Sequence, residues 1–142
     1  MIERTIGPKL LDLAHYYPVV MVTGPRQSGK TTLCRKVFPD KTYLSLEALD
    51  TREFALSDPR GFLSQYADGA ILDEIQNAPE LLSYLQGDVD ERPDPGRFVL
   101  TGSQHFGLSQ SISQSLAGRC GILVLLPPSL EELRAFPNAP AD

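Results

Sequence analysis

The sequence predicts a three-layer α/β fold, in which a parallel β-sheet is covered by helices on both faces. Five short runs typical of strands alternate along the chain with stretches whose apolar residues recur at helical spacing. Four of these runs are almost continuously apolar, as strands buried on both faces are. Strands that alternate with helices in this way form parallel sheets through right-handed crossovers.

The predicted strands cover residues 18–24, 42–46, 69–74, 97–103 and 121–126. The second of them, "TYLSL", mixes polar and apolar residues, so we expect it at an edge of the sheet. The helices are predicted over residues 2–16, 30–38, 79–90 and 108–117, with two short pieces within 50–66. Pro8 is expected to interrupt or delay the first helix, because proline lacks the N–H that a helix interior needs.

Length and composition predict a single globular domain. The chain has 142 residues, of which 42% are hydrophobic and 22% are charged, and a chain of this length can bury a core without disulfides or metals. Residues 1–16 are expected to form an N-terminal helical segment and residues 137–142 a flexible tail. A further domain or lid after the last strand is not expected within the 142 residues.

Charge and cysteine usage narrow the class of protein. The formal net charge of −5 gives no general attraction for nucleic acid or for an anionic membrane. The longest apolar run, "ILVLL", is too short to cross a bilayer. Two cysteines are too few for a disulfide framework, so we expect buried thiols in a cytoplasmic protein.

A phosphate-binding loop is predicted directly after the first strand, in the stretch "GPRQSGKTTL". It matches G-x-x-x-x-G-K-[ST] without a mismatch. Glycines let successive backbone N–H groups converge on phosphate oxygens, and the following helix points its positive end at the same anion. Lys30 is expected at the β- and γ-phosphates and Thr31 on Mg²⁺. The predicted nucleotide-binding residues are Gly24, Pro25, Arg26, Gln27, Ser28, Gly29, Lys30, Thr31 and Thr32. For Arg26 and Gln27, which occupy variable positions of the motif, the alternative is a solvated loop side chain without phosphate contact.

An acidic pair follows the third predicted strand, in "AILDE". Asp73 and Glu74 therefore lie at the C-terminal edge of the sheet, where ligands of parallel sheets gather. Asp73 is predicted to hold the Mg²⁺ shell together with Thr31. Glu74 is predicted to polarise a water for attack on the γ-phosphate. The alternative is that the two acids end a strand and cap the next helix.

The fourth predicted strand, "FVLTGS", brings Thr101 and Ser103 to the same edge. The hydroxyl of Thr101 or of Ser103 can orient the attacking water there or sense the γ-phosphate. A strand that simply ends in turn residues is the alternative.

Arg119 stands between the last predicted helix and the last strand, after Gly118, which is typical of a helix C-cap. A helix of about ten residues spans roughly 15 Å, so it returns the chain to the edge opposite the phosphate loop. Arg119 therefore cannot easily reach its own nucleotide. It is either a cation at a helix C-terminus or an arginine finger for a neighbouring copy in a homo-oligomer.

These motifs together resemble the AAA-like P-loop ATPases of bacteria and archaea, and more narrowly a two-domain family among them. The resemblance rests on "GPRQSGKTTL", "ILDEIQ", "TGS", "SLAGR" and "LEEL" in this order. It implies the sheet order 5-1-4-3-2, ATP and Mg²⁺ as ligands, and catalytic roles for Glu74, Ser103 and Arg119. Members continue into a second domain or a helical lid.

Three other functions compete with ATP hydrolysis. A small-molecule kinase is not favoured, because neither a second substrate site nor an Arg-rich lid is visible in the sequence. A GTPase is not favoured, because "DPRG" at residues 58–61 precedes the acidic strand and the chain has no N-K-x-D base reader. A nucleotide-binding switch that interacts with a partner and turns over little ATP remains the alternative function. The protein partner is not indicated by the sequence.

Overall fold

The computed structural model describes residues 2–25, 29–103, 110, 112 and 114–125, with side chains from Ile6 onward. The helices are α1 (Ile2–Tyr16), α2 (Lys30–Val37), α3 (Leu49–Ser57), α4 (Pro59–Ser64) and α5 (Leu81–Glu91). The strands are β1 (Val19–Gly24), β2 (Tyr43–Ser45), β3 (Ala70–Asp73), β4 (Phe98–Ser103) and β5 (Cys120–Val124). A 3₁₀ turn (Ile75–Asn77) follows β3, and residues 110, 112, 114 and 115 are helical.

The five strands form one sheet in the order β2-β3-β4-β1-β5, and every pairing is parallel. This confirms the predicted order 5-1-4-3-2 and places the mixed strand β2 at an edge. Because the strands are parallel, the C-terminal ends of β1, β3 and β4 lie side by side, and this C-terminal edge of the sheet runs across the strands. In the register of β1 and β4, Gly24 lies opposite Ser103, so the fourth strand ends beside the start of the phosphate loop.

Two apolar cores cover the two faces of the sheet, which confirms the three-layer architecture. Alternate residues of β1 divide between them, because successive side chains of a strand point to opposite faces. Val19 and Met21 pack in the core beneath α3, α4 and α5, while Val20 and Val22 pack in the core beneath α1 and α2. The sheet and both helical layers thereby fix the edge where the motifs meet.

The expectation that Pro8 interrupts or delays the first helix is wrong, since α1 runs from Ile2 through Pro8 to Tyr16. Pro8 is exposed, and Leu10 and Ala14 are buried against the sheet. The burial of this apolar face holds the helix despite the backbone hydrogen bond that proline cannot donate.

Both cysteines are free thiols. Cys34 on α2 is fully buried, and burial raises its pKa to about 12. Cys120 is partly exposed, and desolvation also raises its pKa to about 12. Within the described ranges, no helix is long and apolar enough to pass through a membrane.

Candidate functional site

The phosphate loop begins at Gly24, the last residue of β1, and ends at Gly29, the residue before α2. Gly29 has φ 87° and ψ 17°, a left-handed conformation that glycine adopts without steric cost. Lys30 opens the helix and is 6% exposed. Its ammonium donates to the carbonyl oxygens of Gly24 at 3.0 Å and Pro25 at 3.2 Å. The cation is thus held inside the mouth of the loop, where the sequence predicted a phosphate-binding lysine.

The Asp73 carboxylate connects three elements at this edge of the sheet. Its Oδ1 accepts a hydrogen bond from the Thr31 hydroxyl at 3.0 Å and another from the Thr101 hydroxyl. Its Oδ2 accepts from the Tyr43 hydroxyl. Asp73 is only 6% exposed, so its carboxylate has lost most of its contact with water. The three hydroxyl groups supply the hydrogen bonds that water would otherwise donate. The predicted pair of Thr31 and Asp73 is therefore brought into direct contact.

Tyr43 is a member of this network that the sequence did not indicate. It lies on the edge strand β2, and the Arg35 guanidinium of α2 stacks 4.6 Å from the centre of its ring. Burial raises the pKa of the Tyr43 hydroxyl to about 12, and the hydrogen bond to Asp73 acts in the same direction. The hydroxyl is a neutral donor at physiological pH.

Glu74 follows β3 in an unusual backbone conformation, with φ 60° and ψ 55°. Among the described residues it is the one non-glycine residue with positive φ. Such a conformation costs on the order of 1 kcal/mol for a residue with a Cβ atom. It turns the chain from β3 directly into the 3₁₀ turn, and backbone strain of this kind is often found at functional sites.

Glu74 is only 9% exposed. Burial raises the pKa of its carboxyl above the usual range, while the hydrogen bond from Gln76 and the Lys30 ammonium act to lower it. A carboxylate with a raised pKa is a stronger base than an exposed one, as the predicted role in activating water requires.

Thr101 and Ser103, the two predicted sensor candidates, have different surroundings. Thr101 is fully buried; its hydroxyl donates to Asp73 and accepts the Glu74 backbone N–H at 2.9 Å. Both hydrogen-bonding directions of Thr101 are therefore used inside the protein. Ser103 is partly exposed at the end of β4, so its surroundings are more open than those of Thr101.

Gln76, which was quoted in "ILDEIQ" but given no role, contacts both Glu74 and Ser103. Its amide nitrogen donates to Glu74 Oε2 at 3.1 Å and lies 3.5 Å from Ser103 Oγ. Its amide oxygen accepts the Ser103 backbone N–H at 3.3 Å. The sequence places Gln76 two residues after the acidic pair, which is the one sign that it belongs to the site. The backbone turn at Glu74 explains how the Gln76 side chain reaches back to the Glu74 carboxylate.

Arg119 lies immediately before β5, at the N-terminal ends of the strands and therefore opposite the C-terminal edge that carries the phosphate loop. Its carbonyl accepts a hydrogen bond from the N–H of Val19, the first residue of β1. Arg119 therefore lies beside the start of β1, and Gly24 lies at the other end of the same strand. Its guanidinium forms a two-point ion pair with Asp90 of α5, at 2.6 Å and 3.1 Å, and also donates to the carbonyl of Ala117 at 3.0 Å. The structure therefore places Arg119 away from the phosphate loop of its own chain.

Other predicted residues lie outside this network or outside the described ranges. Arg26, Gln27 and Ser28 of the loop and the "LEEL" segment fall among residues that the structure does not describe. Asp58 of "DPRG" accepts the Gly61 N–H at 3.1 Å and caps α4, so this stretch is a helix start. Within the described part of the chain, no group of three or more His, Cys, Asp or Glu residues is placed to hold a metal ion.

Comparisons with known proteins agree with this architecture. A protein-family model described as an AAA domain matches residues 16–134. The uncharacterized proteins Rv2008c of Mycobacterium tuberculosis and Mb2031c of Mycobacterium bovis are each 38% identical over 126 residues, which is 87% of this chain. The chain spans 28% of the length of these relatives.

Solved structures with the same fold have low sequence identity to the chain. A DNA replication initiation factor has a TM-score of 0.61 at 13% identity, covering 93% of this chain and 47% of its own. A Walker-type ATPase of Pyrococcus abyssi, PABY2304, has a TM-score of 0.61 at 21% identity, covering 95% and 57%. Domain III of the Thermotoga maritima replication initiation protein DnaA has a TM-score of 0.56 at 17% identity, covering 94% and 66%.

We predict that Thr101→Val destabilises the fold, although valine has nearly the same shape as threonine. The substitution leaves the buried Glu74 N–H without its acceptor and removes one donor from Asp73. A buried polar group that loses its partner costs about 1–3 kcal/mol. The free energy of unfolding, measured by urea denaturation, should fall by this amount. Thr101→Ser, which keeps the hydroxyl, is the control, and a Thr101→Val protein as stable as the wild type would contradict the assignment.

Proposed function

Because the chain belongs to the AAA domain family, whose members are P-loop ATPases, we propose that it binds ATP with Mg²⁺ and hydrolyses it to ADP and phosphate. The observation that carries this proposal is the hydrogen bond of 3.0 Å between the Thr31 hydroxyl and Asp73 Oδ1. This hydrogen bond joins the helix after the phosphate loop to the acidic end of β3. In P-loop nucleotide-binding proteins, a hydroxyl and a carboxylate at these two places together hold Mg²⁺.

The donor set beside the loop fits a magnesium nucleotide. Lys30 supplies the cation for the β- and γ-phosphates, and Thr31 and Asp73 supply oxygen atoms for the metal shell. The backbone N–H groups at the start of α2 and its positive end face the same anion. Bound Mg²⁺ neutralises charge on the phosphates as the terminal group is transferred.

Glu74 is proposed as the general base. Its carboxylate takes a proton from water as the water oxygen forms a bond to the γ-phosphorus, and the bond from the γ-phosphorus to the bridging oxygen of ADP breaks. The raised pKa of Glu74 and its position next to Asp73 support this role. Ser103 is proposed to sense the γ-phosphate, because it is partly exposed and lies opposite Gly24 in the sheet.

Glu74→Gln is expected to slow phosphate release strongly while ATP still binds. The amide keeps the size of the side chain but cannot take a proton from water, so the loss in kcat should be roughly 10²- to 10⁴-fold. Phosphate release and the binding of a fluorescent ATP analogue would be measured with Mg²⁺ on wild type and variant. A wild type that binds the analogue and releases no phosphate would instead favour a nucleotide-binding switch.

Lys30→Ala is the matched contrast, because it should weaken ATP binding and leave the fold intact. The contacts of the Lys30 ammonium are two loop carbonyls, those of Gly24 and Pro25, and Lys30 belongs to neither apolar core cluster of the described residues. Calorimetric titration with ATP and Mg²⁺ should show a large loss of affinity, and circular dichroism should be unchanged. Unaltered ATP affinity in Lys30→Ala would refute nucleotide binding at this loop.

Arg119 is proposed as an arginine finger that acts on a neighbouring copy in a homo-oligomer. Its place at the edge opposite the phosphate loop excludes easy access to its own nucleotide, and its guanidinium is partly exposed. The ion pair with Asp90 is the competing structural role. Any action in trans requires the guanidinium to reach the γ-phosphate of the next subunit.

Mixing Arg119→Ala with Glu74→Gln should restore hydrolysis that each variant lacks alone. In mixed oligomers, some sites combine the intact Glu74 of one subunit with the intact Arg119 of its neighbour. Phosphate release would be measured for each variant and for equimolar mixtures. Asp90→Ala, which breaks the same ion pair and keeps Arg119, is the control and should remain active. A mixture no more active than its components would count against action in trans.

A further inference from the structure

Gln76 lies between the proposed base and the proposed sensor and touches both. Its amide nitrogen donates to Glu74 Oε2 at 3.1 Å, and its amide oxygen accepts the Ser103 backbone N–H at 3.3 Å. Ser103 Oγ lies 3.5 Å from the same amide nitrogen. A single side chain therefore connects the residue after β3 with the end of β4.

The orientation of the Gln76 amide is fixed by chemistry on both sides. A backbone N–H can only donate, so Ser103 requires the amide oxygen to face it. The Glu74 Oε2 accepts from the amide nitrogen, and the ionised carboxylate that a general base needs can only accept, so it requires this orientation. Because both partners demand the same orientation, the amide cannot turn over without losing two hydrogen bonds at once.

The local backbone makes this bridge possible. The left-handed conformation of Glu74 turns the chain sharply after β3 and begins the 3₁₀ turn that carries Gln76. The side chain of residue 76 can then reach back to residue 74, across only two positions. On the other side, Ser103 is opposite Gly24 in the register of β1 and β4, so the bridge ends beside the phosphate loop.

We propose that Gln76 is a positioning residue that ties the Glu74 carboxylate to the end of β4, so that the strand beside the phosphate loop orients the base. This inference rests on the proposed function, since a positioned base has meaning only if water is activated. Gln76 needs no contact with the nucleotide for this role. A shift of Ser103 on nucleotide binding would move the amide, and with it the carboxylate that accepts from it.

Gln76→Ala should lower kcat by roughly 10- to 100-fold, because a misplaced catalytic group loses about this much. The affinity for ATP with Mg²⁺ should stay within about two-fold of wild type, which separates a loss of positioning from a loss of binding. Single-turnover phosphate release and the binding of a fluorescent ATP analogue measure the two quantities. Gln76→Met, which keeps the length of the side chain without the amide, carries the same expectation if the alanine variant does not fold.

Gln76→Glu tests the two ends of the bridge separately. It keeps an oxygen that can accept the Ser103 N–H, but it replaces the donor to Glu74 with a second carboxylate. Its kcat should therefore fall at least as far as that of Gln76→Ala. The matched control is Asn77→Ala, the next residue of the same 3₁₀ turn, whose side chain is also half-buried and which should keep wild-type kcat.

A variant pair shows whether Gln76 acts through Glu74. In the Glu74→Gln background there is no carboxylate left to position, so adding Gln76→Ala should cause no further loss of rate. Wild-type or higher kcat in Gln76→Ala, or a loss of ATP affinity as large as the loss of kcat, would overturn the inference while leaving the proposed function intact. A wild type that binds ATP but does not hydrolyse it would overturn both.

Discussion

The structure of the site depends on one buried carboxylate, that of Asp73. Three hydroxyl groups from different elements donate to it: Thr31 from α2, Tyr43 from β2 and Thr101 from β4. A buried charge is tolerated only when its oxygens are hydrogen-bonded, so the three elements are held where their hydroxyls meet it. The helix that follows the phosphate loop is thereby fixed to the strands that carry the other polar residues of the site.

The same network sets the conformation of the next residue. Thr101 binds both the Asp73 carboxylate and the backbone N–H of Glu74, and Glu74 adopts a left-handed conformation that an isolated glutamate would avoid. The hydrogen bonds around it offset the cost of this conformation. The resulting turn brings Gln76 within 3.1 Å of the Glu74 carboxylate, so Asp73 and the proposed base Glu74 are organised by one continuous set of contacts.

Much of this arrangement could be predicted from the sequence, because its signals are local. Apolar strands buried on both faces, the loop "GPRQSGKTTL" and the pair Asp73–Glu74 gave the fold, its C-terminal edge and the contact of Thr31 with Asp73. The internal role of Thr101, the hydroxyl of Tyr43 and the bridge through Gln76 could not be predicted. Each depends on which strands are neighbours and on a backbone angle at Glu74 that no residue pattern encodes. The prediction that Pro8 interrupts the first helix was wrong for a related reason. The packing of α1 against the sheet outweighed the low helix propensity of proline.

The proposed ligand of the β1–α2 loop, with Lys30, Thr31 and Asp73 beside it, is a magnesium triphosphate. A crystal structure with Mg²⁺ and a non-hydrolysable ATP analogue tests this most directly. In that structure the Lys30 ammonium should leave the carbonyls of Gly24 and Pro25 for phosphate oxygens, and Thr31 should contact the metal while still hydrogen-bonded to Asp73. Saturating analogue bound elsewhere, with Lys30 still on those carbonyls, would contradict it.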